Sequence, residues 1–269
     1  GCIAVTAQEA FAALGATVPT FVGSQGSSPA KHEGFGGKSF AWFATSGGLS
    51  YRVTVSGVSV ANVGAVVTVG GINYTVMEVN ITAGAGNLLL SGASAPPGSG
   101  TLTKVSGTID TTITFSASAT VPGNPLWNAG TGALDIAAYR TAQSVSGNVH
   151  AVMVMLGIND VFGEALKNTA QITTMVDYAK DIADAFLADN ASCKVVFVLP
   201  SICGNTADGF AANYGATYSR AVFEANIFAL RTALIAAFDA GAYGANVLIG
   251  AGGLAVDRYY GYARSSSAV

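Results

Sequence analysis

Charge is scarce in this chain. Twelve Lys and Arg and fifteen Asp and Glu are spread over 269 residues, and the formal net charge is −3. No basic patch stands out, which argues against nucleic acid as a partner. Histidine is scarcer still, with only His32 and His150. The three cysteines are Cys2, Cys193 and Cys203, and nowhere do ligating side chains recur at metal-site spacing. Neither a metal nor another cofactor is therefore expected. Cys193 and Cys203 flank an apparent strand over 194–199. Its extended length is about 20 Å at roughly 3.3 Å per residue, too long for a bridge. Buried or idle thiols are the expectation. No apolar run reaches the length of a membrane span, so no membrane partner is expected. The opening GCIAVTAQEA lacks the basic start of a signal peptide. No G-x-G-x-x-G or P-loop follows a first strand, which weakens a flavodoxin-like or nucleotide-binding reading.

What the chain does have is apolar substance and glycine. Hydrophobic residues make up 51% and glycine occurs 34 times, against 10% charged residues. A sizeable core follows and disorder does not. The length suits one large domain or one domain with an insert. A surface drawn from Ser, Thr, Gly and Asn suits an extracellular or virion-associated protein that touches sugars.

Taken in order, Thr6 to Glu9 has the form of a capping box opening a short helix through Leu14, and Val18 to Val22 follows as a strand. The segment KHEGFGGKSFAWF, 31–43, is a glycine-rich bend leading into an apolar and aromatic stretch. From about Ser50 the texture changes to short, β-branched, alternating runs bounded by Gly, Asn or Ser, from YRVTVSG to DTTITFS. That spacing predicts an all-β unit of about six strands over 49–118, inserted into an α/β domain formed by 1–48 and 119–269. Past it, Leu134–Val145 is expected as a helix and Ala151–Leu156 as a strand. Asn168 to Gln171 starts a helix whose face is Ile172, Met175, Val176, Ala179, Ile182, Ala183 and Phe186. Val195–Leu199 is a strand, 201–217 a polar loop, and a second helix carries Ile227, Leu230, Leu234 and Phe238 on one face before a strand at Asn246–Ile249. The fold class this predicts is α/β, a three-layer α/β/α parallel sheet of flavodoxin-like type, with a small inserted all-β domain.

The stretch AVMVMLGIND, Ala151–Asp160, organises the functional reading. An unbroken apolar run suits a parallel strand covered on both faces. Gly157 permits a sharp turn, and Asn159 and Asp160 are then presented at the carboxyl edge of the sheet, where ligands bind in open α/β folds. A carboxamide there can donate to a developing oxyanion without titrating. The plainer alternative is an Asn-Asp turn capping the next helix.

This G-x-N-D after an apolar strand resembles the third conserved block of the SGNH (GDSL-like) hydrolases, which are mostly esterases. The resemblance implies that Asn159 donates to an oxyanion hole, with Gly157 and Asp160 in support. HEG-x-x-G at 32–37 is similar to the block that supplies a backbone N–H to the same hole. Gly37 is the match, with Gly34 the fallback. A β insert between these blocks resembles phage- and gut-bacterial members. The substrate implied is a polysaccharide or other glycan ester, deacetylated through an acyl-enzyme, in a homo-oligomer or a virion assembly. Two further residues, His32 and Trp42, are candidates for touching substrate; a loop histidine bonding a carbonyl and a core tryptophan are the plainer roles.

An SGNH esterase also needs a serine in a G-D-S turn and a terminal D-x-x-H. The sequence contains no G-D-S, and its two histidines lie elsewhere. Neither a nucleophile nor a general base is therefore assigned. One account makes the chain the middle of a longer esterase. The other makes it a non-catalytic glycan-binding or structural module, for instance of a phage tail.

Overall fold

The computed structural model describes residues 38–92, 94–163, 165–202, 219–239, 241 and 243–251. The helix expected from Thr6, the strand at Val18–Val22, the bend carrying His32, Gly34 and Gly37, the loop from 203, and Cys2 and Cys203 lie outside the described residues. The described residues separate into two compact units, 46–133 with 138–146, and 38–45 with 134–137 and 147–251.

The first unit is a closed barrel of six strands in the order β1-β4-β3-β2-β5-β6. These are β1 (Leu49–Ser56), β2 (Val66–Val69), β3 (Ile72–Thr82), β4 (Ala85–Ser91), β5 (Gly100–Ser106) and β6 (Thr112–Pro122). All neighbours are antiparallel, and β6 closes onto β1. Alternation decides what points inward. Tyr51, Val53 and Val55 of β1, Tyr74 and Val76 of β3, Leu88 and Leu90 of β4, and Ile113 and Phe115 of β6 fill the interior. Register shifts at Thr54/Val55, Val66/Val67 and Val76/Glu78 supply local bends of the kind closure needs. At Gly92 a Cβ would sit 2.4 Å from the Tyr74 ring, so only glycine lets that ring lie flat against the backbone. Two short strands, β7 (Trp127–Asn128) and β8 (Ala133–Leu134), and helix α2 (Ile136–Ala142) follow in the chain, and helix α1 (Phe40–Ala44) precedes β1.

The second unit holds a three-stranded parallel sheet in the order β11-β10-β9. Its strands are β9 (Ala151–Val154), β10 (Lys194–Val198) and β11 (Val247–Gly250). Helices α4 (Thr169–Asp189) and α5 (Arg220–Asp239) accompany it. Asn168 and Gln171 close the capping box that starts α4, each side chain bonding the other's backbone N–H at 2.9–3.0 Å. The face of α4 buries Ile172, Val176, Ala179, Ile182, Ala183 and Phe186, with Met175 at its margin. On one side of the sheet Val195, Phe197 and Val247 are buried, and the Phe197 ring stacks on Phe238 of α5 at 4.7 Å.

The three-layer α/β/α expectation is overturned. Among the described residues the structure is mostly β: the large sheet is the antiparallel barrel, the parallel sheet is small, and helices are few. The physical reason is visible at two places. The β-branched runs over 49–118 form the six strands expected there, and these pair with antiparallel neighbours and close on their own core into the largest sheet. The parallel sheet also lacks its second covering layer among the described residues. The register aligns Met153, Val196 and Leu248 in one row on the side away from Phe197. Met153 is 58% exposed, Met155 60% and Leu248 44%. The strand at 151 is expected to be covered on both faces; among the described residues it is an edge strand with one open face.

Candidate functional site

The site is built at the end of β9, within the second unit. Gly157 takes φ 106°, a left-handed conformation that costs an L side chain dear. A Cβ there would also press on Leu230 at 3.0 Å and on Phe40 and Pro200 at 3.3 Å. The chain then enters a single helical turn, α3 (Ile158–Val161), which carries Asn159 and Asp160.

Both side chains reach back to one short segment more than a hundred residues earlier. Asp160 accepts the Phe40 N–H through Oδ1 and Oδ2, each at 3.0 Å. Asn159 Nδ2 donates to the Lys38 carbonyl at 3.0 Å. Helix α1 (Phe40–Ala44) therefore begins against the 157–160 turn. Its own N-cap is Ser39, whose Oγ accepts the Trp42 N–H at 3.2 Å. Phe40 is buried, its ring 6.2 Å from that of Phe197.

Burial pushes the Asp160 carboxyl above its ordinary range; the N–H groups of Phe40, Asp160 itself, Gly157 and Ala41 pull the other way without overcoming it. Burial likewise lowers Lys38, whose Nζ lies 5.1 Å from the centre of the Trp42 ring. Trp42 is half-buried, edge-on to Phe43 at 4.8 Å. Beside Asp160 a cleft of about 250 Å³ is lined by Ala41, Gln171, Thr174, Met175 and Tyr178.

The structure thus joins Asn159, Asp160 and Gly157 to Lys38 and Trp42. Asn159 is exposed, and a carboxamide has two N–H bonds. One is spent on Lys38; the other has no partner among the described residues. Gly37, Gly34 and His32 lie outside the described residues, one to six positions before Lys38. His150, the sole histidine among the described residues, precedes β9 at the end of the strand opposite to Gly157, where its carbonyl accepts the Lys194 N–H. Among the described residues no group of three or more His, Cys, Asp or Glu side chains could hold a metal ion. Cys193 is buried and free.

Two features escaped sequence reasoning. One is the pair of bonds by which Asn159 and Asp160 hold Lys38 and Phe40; the resemblance sets 32–37 at the same hole, and SFAWF can begin a helix, but neither marks those bonds. The other is Arg231, buried on an apolar helix and donating through Nε to the Pro200 carbonyl at 2.7 Å, at the carboxyl end of β10. Nothing in the spacing of α5 announces that role. No protein-family model matches the chain, and no curated protein or solved structure matches it.

Proposed function

We propose that the 157–160 turn and the Lys38–Ala41 segment form the oxyanion-binding half of a site that hydrolyses acyl esters of a polysaccharide. The observation that carries this reading is the Asn159 carboxamide. It is exposed at the carboxyl end of a parallel strand, oriented by one bond to Lys38, with a second N–H uncommitted among the described residues. Such a donor stabilises charge as it develops on a carbonyl oxygen. The likeness of Gly157–Asp160 to the SGNH block supports the same role. The reaction also needs a nucleophile and a base, and neither is assigned to a residue of this chain. The partner in this reading is a glycan ester met outside the cell or on a virion.

Acetate release from an O-acetylated polysaccharide, and hydrolysis of p-nitrophenyl acetate, test it. Asn159→Ala should lower kcat by about 10²–10³. An unchanged rate removes Asn159 from the reaction.

The absence of G-D-S and the two displaced histidines favour a second reading, a non-catalytic glycan-binding or structural module. It expects the polysaccharide to be bound and no acetate released by the unsubstituted chain.

A further inference from the structure

We propose that Asp160 is the positioning residue of this site: it fixes the carbonyl that aims the Asn159 carboxamide. The proposal rests on the oxyanion reading of Asn159 given above. Two consecutive side chains, 159 and 160, hold neighbouring peptide groups of one segment, and they do so with opposite polarity. Asn159 donates to the Lys38 carbonyl, while Asp160 accepts from Phe40 through both oxygens. Only Ser39 separates the carbonyl that Asn159 reads from the N–H that Asp160 anchors, and Ser39 is itself tied to Trp42. The carbonyl therefore has little freedom as long as Asp160 holds the next peptide. A planar carboxamide bonded to a fixed carbonyl points its second N–H in one direction. Loosen the segment and the amide loses its reference.

The charge and chemistry around Asp160 fit an anchor rather than a reactant. Its two oxygens both face the Phe40 N–H. Across the cleft stand Gln171, Thr174, Met175 and Tyr178 from α4. Asn in place of Asp loses the charge and keeps a single acceptor, so it weakens the anchor at almost constant volume.

The experiment is NMR of the ¹⁵N-labelled chain, with ester kinetics on the same samples. In the unsubstituted protein the Phe40 amide should exchange at least about tenfold more slowly than unstructured amides. In Asp160→Asn it should lose protection, and the Asn159 side-chain amide resonances should shift while the amides of β10 stay. kcat should fall with KM unchanged, and Asp160→Glu, which retains the carboxylate, should recover part of it. An unprotected Phe40 amide in the unsubstituted chain would overturn the proposal whatever the variants do. So would an unmoved Asn159 amide in a folded Asp160→Asn. If Asn159→Ala slows hydrolysis while Asp160→Asn changes neither kcat nor that amide, the positioning role falls and the oxyanion reading stands. If Asn159→Ala changes nothing, the oxyanion reading falls first.

Discussion

Asp160 combines two demands that pull its proton in opposite directions. Burial favours the neutral acid, and the surrounding N–H groups favour the carboxylate; burial wins. Its folded-state proton affinity therefore exceeds that of the unfolded chain. A group of this kind adds stability below its ordinary value of 3.8, and that contribution is lost as pH rises through its raised folded value. Glu78 in the barrel has the same sign, raised by burial and drawn down by Arg52 at 3.9 Å. Comparing the protein with Asp160→Asn isolates the one from the other, since the variant retains Glu78. Urea unfolding from about pH 3 to 7 should show the stability difference, native minus variant, shrinking as pH rises. A difference that grows with pH would show that the N–H groups prevail.

At the scale of elements, the two sides of the parallel sheet make opposite predictions. Val195 is fully buried beside Phe197, so Val195→Ala should cost about 1.5–3 kcal/mol from lost burial and the cavity left behind. Met153 lies on the open side, and Met153→Ser should stay within about 0.5 kcal/mol. Chemical denaturation of the two variants checks both; a costly Met153→Ser would mean that the open side is covered. The contrast also marks where sequence reasoning stops. The run AVMVML is apolar throughout, and an apolar run is compatible with cover on both faces or on one. Periodicity placed the faces of α4 and α5, because helical spacing needs only local residues. Barrel closure was not legible in the same way, since it depends on β6 meeting β1 across some sixty residues and on three register shifts. The site divides along the same line. The Gly157 turn shows in four residues, whereas its hold on Lys38–Ala41 spans 120 positions and leaves no local mark.

At the scale of the molecule, each unit has its own interior. The barrel cluster draws on residues from Tyr51 to Phe115 alone, and the second unit packs around Phe197, Leu230 and Phe238. Phe115→Ala should cost about 3–5 kcal/mol in the barrel. Native-state hydrogen exchange should show that loss at Val53, Val76 and Leu90, while the amides of Val195 and Phe197 hold their protection. Equal loss in both units would mean that they unfold as one.

The row of side chains left open on the parallel sheet has a chemical consequence. Met153 and Met155 are the two most accessible of four methionines, Met77 and Met175 being half-buried. Peroxide will reach those two thioethers first, and each sulfoxide sets a polar, chiral group on a greasy patch. Oxidative ageing of this protein therefore begins on β9 and in the stretch just ahead of Gly157, seven and five positions from the carboxyl that anchors the site.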